Sequence, residues 1–204
     1  MRNPWAREYG RTPERYIWGK APSEFAQDLV GLLPPRGRVL DLGCGEGRDS
    51  VFFASRGFEV TGLDASAAGI AKGRRLAAEC RAEVRWLARS MLDVPVAGRF
   101  DLIYSYGSIH HVSFRNRDRL FRRLKVLTNP GGLHAHLVFT DAAIYREKGE
   151  TIDYFKAGEL ADLYGDWSLV RRERGEIPCA QDGTRHSHSM EQIVAVRPFP
   201  ASGS

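Results

Sequence analysis

The stretch Val39-Leu40-Asp41-Leu42-Gly43-Cys44-Gly45-Glu46-Gly47-Arg48 has the make-up of a ligand-binding turn. An apolar run leads into Gly-x-Gly-x-Gly and then into a helical segment. Glycines let a backbone turn tightly and approach a ligand with no Cβ in the way. The helix that follows offers unpaired N–H groups and the positive end of its dipole. Dinucleotide enzymes use a related loop, Gly-x-G-x-x-Gly in spacing, to hold a pyrophosphate. Here Asp41 precedes the glycines. A carboxylate is a poor neighbour for pyrophosphate and a good one for an ammonium group. Asp64 closes Val60-Thr61-Gly62-Leu63-Asp64 and is placed to accept hydrogen bonds from ribose hydroxyls. By itself it would serve equally as a helix N-cap. Beside the glycine loop it points to a nucleoside, and Asp41 adds a positively charged amino-acid end to that ligand.

Six histidines could do further chemistry. His110 and His111 follow the apolar run Phe100–Ser105, where one of them could take a proton near neutral pH. The competing reading is that they cap or pack the loop. His134 and His136 alternate on one strand and so share one face of a sheet. His186 and His188 do the same further on. Either pair could ligate a metal, but spacing fixes no third ligand, so no metal is expected. Tyr9, Tyr16 and Trp18 precede the first strand. They could form an aromatic lid that excludes water and meets a cationic ligand with ring faces. Ordinary packing of an N-terminal helix would use them as well.

Alternating elements must position these groups. Strands are expected at Arg38–Leu42, Phe58–Leu63, Val84–Leu87, Phe100–Ser105 and Leu133–Thr140. Helices are expected at 46–56, 66–80 and about 115–127. Asn129-Pro130-Gly131-Gly132 should break the chain before the fifth strand. A short helix is expected at 154–164, after a polar stretch from Tyr145 to Glu150. Trp167–Arg171 and Gln192–Val196 read as an antiparallel hairpin at the sheet edge. Short apolar strands separated by helices imply a mainly parallel sheet covered on both faces. Ligands in such sheets bind beyond the carboxyl ends of the strands.

Composition sets outer limits. The 204 residues suit one domain, with 43% hydrophobic and 27% charged residues. The expected division is a lid segment at 1–35, a core at 36–197 and a mobile tail at 198–204. No apolar run is long enough to span a membrane, and the N-terminus lacks a secretory apolar core. A cytoplasmic protein without membrane attachment is expected. Cys44, Cys80 and Cys179 are scattered and odd in number, which suits three free thiols. The net charge of +5 could draw an anionic substrate or nucleic acid. Much of it lies in Arg115–Lys125, with six basic residues against one acid. Phe114, Leu120, Phe121, Leu124 and Leu127 fall near helical spacing there, which makes the arginines a solvated helix face.

The glycine loop and Asp64 resemble motifs I and II of the class I S-adenosylmethionine-dependent methyltransferases. Phe100–Ser105 is similar to that family's fourth strand. Leu127-Thr128-Asn129-Pro130-Gly131-Gly132 is similar to its Leu-x-x-Pro-Gly-Gly turn. The resemblance implies an α/β, Rossmann-like, doubly wound sheet of seven strands, mainly parallel with an antiparallel last strand. It also implies S-adenosylmethionine as cofactor. Gly43, Cys44 and Gly45 would line the methionine part, Asp41 would hold the amino group, and Asp64 would take the ribose with Ala65 against the adenine. Ser90, then Met91, stands where the family often has an adenine-binding Asp; Asp93 is the alternative. Tyr106 and Gly107 would face the reacting methyl, with His110 or His111 as base.

A closer resemblance is to the small tellurite-resistance and thiol methyltransferase branch. It rests on Tyr16-Ile17-Trp18-Gly19-Lys20-Ala21-Pro22-Ser23, on Gly45-Glu46-Gly47-Arg48-Asp49-Ser50, and on Gly158-Glu159-Leu160 with Tyr164 and Trp167. It implies a small-molecule acceptor (a thiol, a chalcogen oxyanion or a metabolite oxygen or nitrogen) met by Tyr16, Trp18, His186 and His188. Two other functions fit the fold: an RNA-modifying methyltransferase and an inactive binding protein. The segment Ser105-Tyr106-Gly107-Ser108 lacks the Asn- or Asp-Pro-Pro-aromatic tetrapeptide of base amino-group methylation, so nucleic acid is not the expected partner. The intact loop and acids speak against an inactive scaffold.

Overall fold

The computed structural model describes residues 4–94, 98–145, 152–180 and 183–200. Seven strands form one sheet: β1 Arg38–Leu42, β2 Glu59–Asp64, β3 Val84–Ala88, β4 Phe100–Tyr106, β5 Thr128–Phe139, β6 Ser168–Cys179 and β7 His186–Val196. Their order is β3-β2-β1-β4-β5-β7-β6. The pairs β1–β2, β1–β4, β2–β3 and β4–β5 are parallel. Only β7 runs against its neighbours, pairing antiparallel with both β5 and β6. This is the α/β, Rossmann-like, seven-stranded arrangement with an antiparallel last strand.

Helices cover both faces. They are α1 Pro4–Arg11, α2 Glu24–Leu29, α3 Arg48–Ser55, α4 Ala67–Glu79, α5 Phe114–Val126 and α6 Glu159–Asp162. Strand alternation divides the core. Leu40, Leu42 and Ile103 pack with Leu120, Phe121 and Leu124 of α5, and with Leu160 and Tyr164. Val39, Leu102 and Tyr104 face the other way, onto Phe25 and Leu29 of α2 and Phe53 of α3. The buried face of α4 carries Ile70, Gly73, Leu76 and Ala77 at helical spacing, and Ser66 caps its start by accepting from Gly69 N–H at 3.1 Å.

Several expectations need correction. The Asn-Pro-Gly-Gly segment does not interrupt the strand. β5 runs from Thr128, and the register shifts between Phe100 (opposite Thr128) and Leu102 (opposite Leu133), so a bulge absorbs the extra residues. The final hairpin is far longer than expected, because the polar residues of β6 lie on an exposed edge strand that apolar patterning does not reveal. The helix expected at 154–164 shrinks to α6; Phe155 instead bridges Thr140. Phe114 is exposed, and Arg117 takes a buried place on α5, pairing with Glu159 at 2.6 Å and lying 3.7 Å from the Phe155 ring centre. Residues 146–150 of the polar stretch and the end of the expected tail (201–204) lie outside the described residues. No helix among the described residues is long and apolar enough to cross a membrane.

Candidate active site

The carboxyl ends of the strands open into a cavity of about 320 Å³. β1 delivers the glycine loop to it. Gly43 and Cys44 N–H both donate to Leu63 O, at 2.7 and 3.1 Å, which ties the loop to β2. Two glycines are there for steric reasons. Gly45 has φ +54, and a Cβ on it would lie 2.8 Å from the Tyr9 hydroxyl. Gly47 caps α3 at φ +84, where a Cβ would lie 2.5 Å from the Trp86 ring.

Asp41 and Asp64 are both buried and differently held. Asp64 accepts from Gly45 N–H at 2.9 Å and Ser66 N–H at 2.7 Å. Burial raises its pKa, and these two donors oppose the shift. Asp41 accepts only from Ser50 Oγ, at 2.5 Å, among the hydrogen bonds formed by the described residues. Burial, then the nearby Asp49, pushes its pKa up to about 8. Without a cation it is thus largely protonated at neutral pH. A ligand ammonium would restore its charge. Both acids line the cavity with Gly43, Cys44 and Gly45.

The N-terminal segment covers this end. Trp5, Tyr9 and Trp18 line the cavity, with the Trp5 and Trp18 ring centres 4.8 Å apart and Trp18 Nε1 donating to the Tyr9 hydroxyl at 3.1 Å. Glu46 anchors the cover: Trp18 N–H donates to its Oε2 at 3.1 Å, and Lys72 Nζ to its Oε1 at 2.7 Å. Lys72 also donates to Arg15 O at 2.8 Å. Tyr16, expected in the lid's substrate contact, lies elsewhere. Its hydroxyl donates to Lys72 O, and its side chain packs against the cluster of Val51, Leu76 and Ala77, outside the cavity lining.

The adenine side is less complete than expected. Met91 lines the cavity, but Ala65 and Ser90 do not. Ala65 is exposed, and Ser90 Oγ accepts from Leu92 N–H at 3.2 Å, capping a single 3-10 turn at Met91–Asp93.

Tyr106, Gly107, His110, His111, Phe139 and His188 line the other end. His110 is fully buried and stacks on Phe139, which stacks on His188; the ring centres are 4.4 and 4.0 Å apart. Phe139 N–H donates to His110 Nδ1 at 3.3 Å. Burial, with the charges of His111, His188 and Arg117, lowers the His110 pKa well below its ordinary value. The neutral ring therefore carries its proton on Nε2, and that buried atom has no partner among the described residues. In this state His110 offers a hydrogen bond rather than a base. His111 lies beside it, 4.7 Å between ring centres.

His134 and His136 belong to the core. His134 bonds Thr128 and Tyr164 at 2.7 and 2.6 Å, and His136 bonds Ser105 at 2.8 Å. Burial lowers both pKa values, that of His136 to about 3. His186 lies beside the cavity rather than in its lining, within hydrogen-bond distance of His188.

Sequence reasoning missed Glu46, Lys72, Asp49, Phe139 and Cys179. Lys72 left a trace: it is a cation on the apolar face of α4, between Ile70 and Leu76. Asp49 left none. It accepts from Ser23 N–H at 2.7 Å and from the Tyr104 hydroxyl at 2.8 Å, partners far away in the chain.

Residues 39–132 match the family described as Methyltransferase domain. Trans-aconitate 2-methyltransferase of Deinococcus radiodurans is 35% identical over 128 residues, 60% of this chain and 47% of that protein. The chain spans about half the length of the curated relatives it matches. TehB from Haemophilus influenzae has a similar fold, with a TM-score of 0.78 at 19% identity over 93% of this chain and 67% of that one. So does the 1,6-didemethyltoxoflavin-N1-methyltransferase of Burkholderia thailandensis, solved with its namesake ligand and S-adenosylhomocysteine. Its TM-score is 0.71 at 22% identity, over 95% of this chain and 87% of that one. These structural likenesses speak for the fold. Strand order and the match over residues 39–132 thus show a Rossmann-like sheet with a segment similar to methyltransferase domains around the Gly-x-Gly-x-Gly loop.

Proposed function

We propose that this protein transfers the methyl group of S-adenosylmethionine to a small-molecule acceptor bearing a thiol, a chalcogen oxyanion or a metabolite oxygen or nitrogen. One observation carries the reading. A single cavity joins buried Asp41 and Asp64 at the glycine-loop end to the unpartnered Nε2–H of His110 at the other. In this reading Asp41 takes the cofactor's ammonium group, Asp64 its ribose, and Gly43, Cys44 and Gly45 its methionine chain. Tyr106 flanks the methyl, and His110 Nε2–H donates to a lone pair of the acceptor. His188 backs Phe139 in the same wall.

Methyl transfer is an in-line displacement at a carbon already activated by sulfonium, so alignment and exclusion of water supply most of the help. The acceptor's lone pair forms the new bond to carbon, and the old carbon–sulfur pair returns to the cofactor as a neutral thioether. A neutral His110 suits an acceptor that arrives already ionised, such as a thiolate or oxyanion. His111 is the residue left to take a proton from a phenol or amine. The protein acts in the cytoplasm in this reading, with residues 1–35 as its lid.

Calorimetric titration with S-adenosylmethionine and S-adenosylhomocysteine, alongside Asp64→Ala, tests the cofactor half. Micromolar binding weakened by the substitution supports it; no binding by folded protein overturns it. Methyl-transfer assays with thiols, selenite, tellurite and phenols then test the acceptor half.

A further inference from the structure

The long β6–β7 hairpin brings together three donors that spacing alone did not connect. Cys179 and His186 face each other across the antiparallel pair, and Ile177 faces His188. Residues directly opposite one another, and residues two apart, share a face of the sheet. Cys179, His186 and His188 therefore project together. Their ligand atoms all lie within 4.8 Å of one another. Cys179 and His188 line the cavity described above.

We infer that Cys179, His186 and His188 form a site for a zinc-class transition-metal ion at the acceptor end of the cavity. Thiolate with imidazole is a donor set that suits zinc. The two His Nε2 atoms are 2.9 Å apart. Two nitrogens bound to one tetrahedral zinc at about 2.0–2.1 Å stand roughly 3.3–3.4 Å apart, so the rings need to open by only a few tenths of an ångström. The rings are also held for the task. His186 Nδ1 donates to Thr184 O at 2.8 Å, so its Nε2 lone pair faces His188 Nε2, the contact that the metal would replace. The Tyr145 ring stacks on His186 with centres 3.5 Å apart, and Phe139 stacks on His188 at 4.0 Å. Three protein donors leave a fourth tetrahedral position. On the reading that the cavity holds the methyl acceptor, that position takes a thiolate-class acceptor: the metal lowers the thiol pKa, the proton leaves to solvent, and the sulfur is held where it can meet the methyl carbon.

Untagged full-length protein, freed of metal with a chelator, is titrated with cobalt(II) and then competed with zinc. Equimolar uptake with a thiolate-to-cobalt charge-transfer band and tetrahedral d–d absorption is expected. Cys179→Ser should abolish the charge-transfer band, and His186→Ala should weaken metal binding at least about tenfold. No uptake by the unaltered protein, or uptake that either substitution leaves unchanged, overturns the site. Cofactor calorimetry on the metal-free protein is a separate measurement. Cofactor binding without metal uptake removes this site alone, and metal uptake without cofactor binding removes the methyl-transfer reading alone.

Discussion

Lys72 Nζ lies 2.7 Å from Glu46 Oε1, and both side chains are almost fully buried. Glu46 belongs to the glycine loop and Lys72 to α4, and their remaining hydrogen bonds go to Trp18 N–H, Arg15 O and Thr12 Oγ1. The pair thus fastens the N-terminal cover to the glycine loop.

Lys72→Met should destabilise the protein by about 3–5 kcal/mol, because it leaves the Glu46 carboxylate buried without its cation. The double variant Lys72→Met/Glu46→Gln should regain much of that loss. Urea unfolding of the three proteins checks both. A single variant as stable as the parent would show that the pair contributes little.

Asp64→Asn should weaken S-adenosylmethionine binding roughly 10–100-fold, the equivalent of a charged hydrogen bond of about 1.5–3 kcal/mol. The melting temperature should move much less, since an amide oxygen still accepts from Gly45 or Ser66. Calorimetry and a thermal melt on the same preparation separate the two effects.

Asp41 gives a pH dependence of known sign. Its pKa is about 8 in the fold against an ordinary 3.8. Between those values the folded protein holds a proton that the unfolded chain has released. The stabilising difference is complete below about 4 and is lost as pH rises to about 8. Asp41→Asn should flatten this part of the melting-temperature profile of ligand-free protein. Cofactor binding at pH 7 should release a proton as the ammonium group ionises Asp41. Titrations in buffers of different ionisation heat read that proton; a heat independent of buffer would contradict the assignment.

His110→Phe keeps a ring against Phe139 and removes the Nε2–H. Acceptor KM should rise roughly tenfold, as for one lost hydrogen bond of about 1–1.5 kcal/mol, with cofactor affinity unchanged. Because the His110 pKa is held well below its ordinary value, it should give the parent's pH–rate profile no limb near 6.5. Steady-state kinetics of the pair decide this.

Gly47→Ala should cost roughly 1–3 kcal/mol, since the new Cβ at φ +84 would crowd Trp86. A lowered urea midpoint followed by tryptophan fluorescence is the expected result.

The sequence by itself determined the shape of the first loop. Glycine spacing after an apolar run, with Asp41 before it and Asp64 ending the next strand, depends on local backbone geometry and survives without knowledge of the fold. Alternating elements likewise set the parallel sheet and its antiparallel last strand. Tertiary structure alone decided which side chains meet. Periodicity tells which face of α4 is buried, but only the packing of that helix on the loop shows that Lys72 finds Glu46. Tyr16 and Trp18 are two residues apart, yet one turns to Lys72 O and the other to the cavity. Cys179 looked like an isolated thiol because the length of β6 was hidden by its polar edge. The register of that edge, set by backbone hydrogen bonds and not by apolar pattern, is what places the thiol opposite His186.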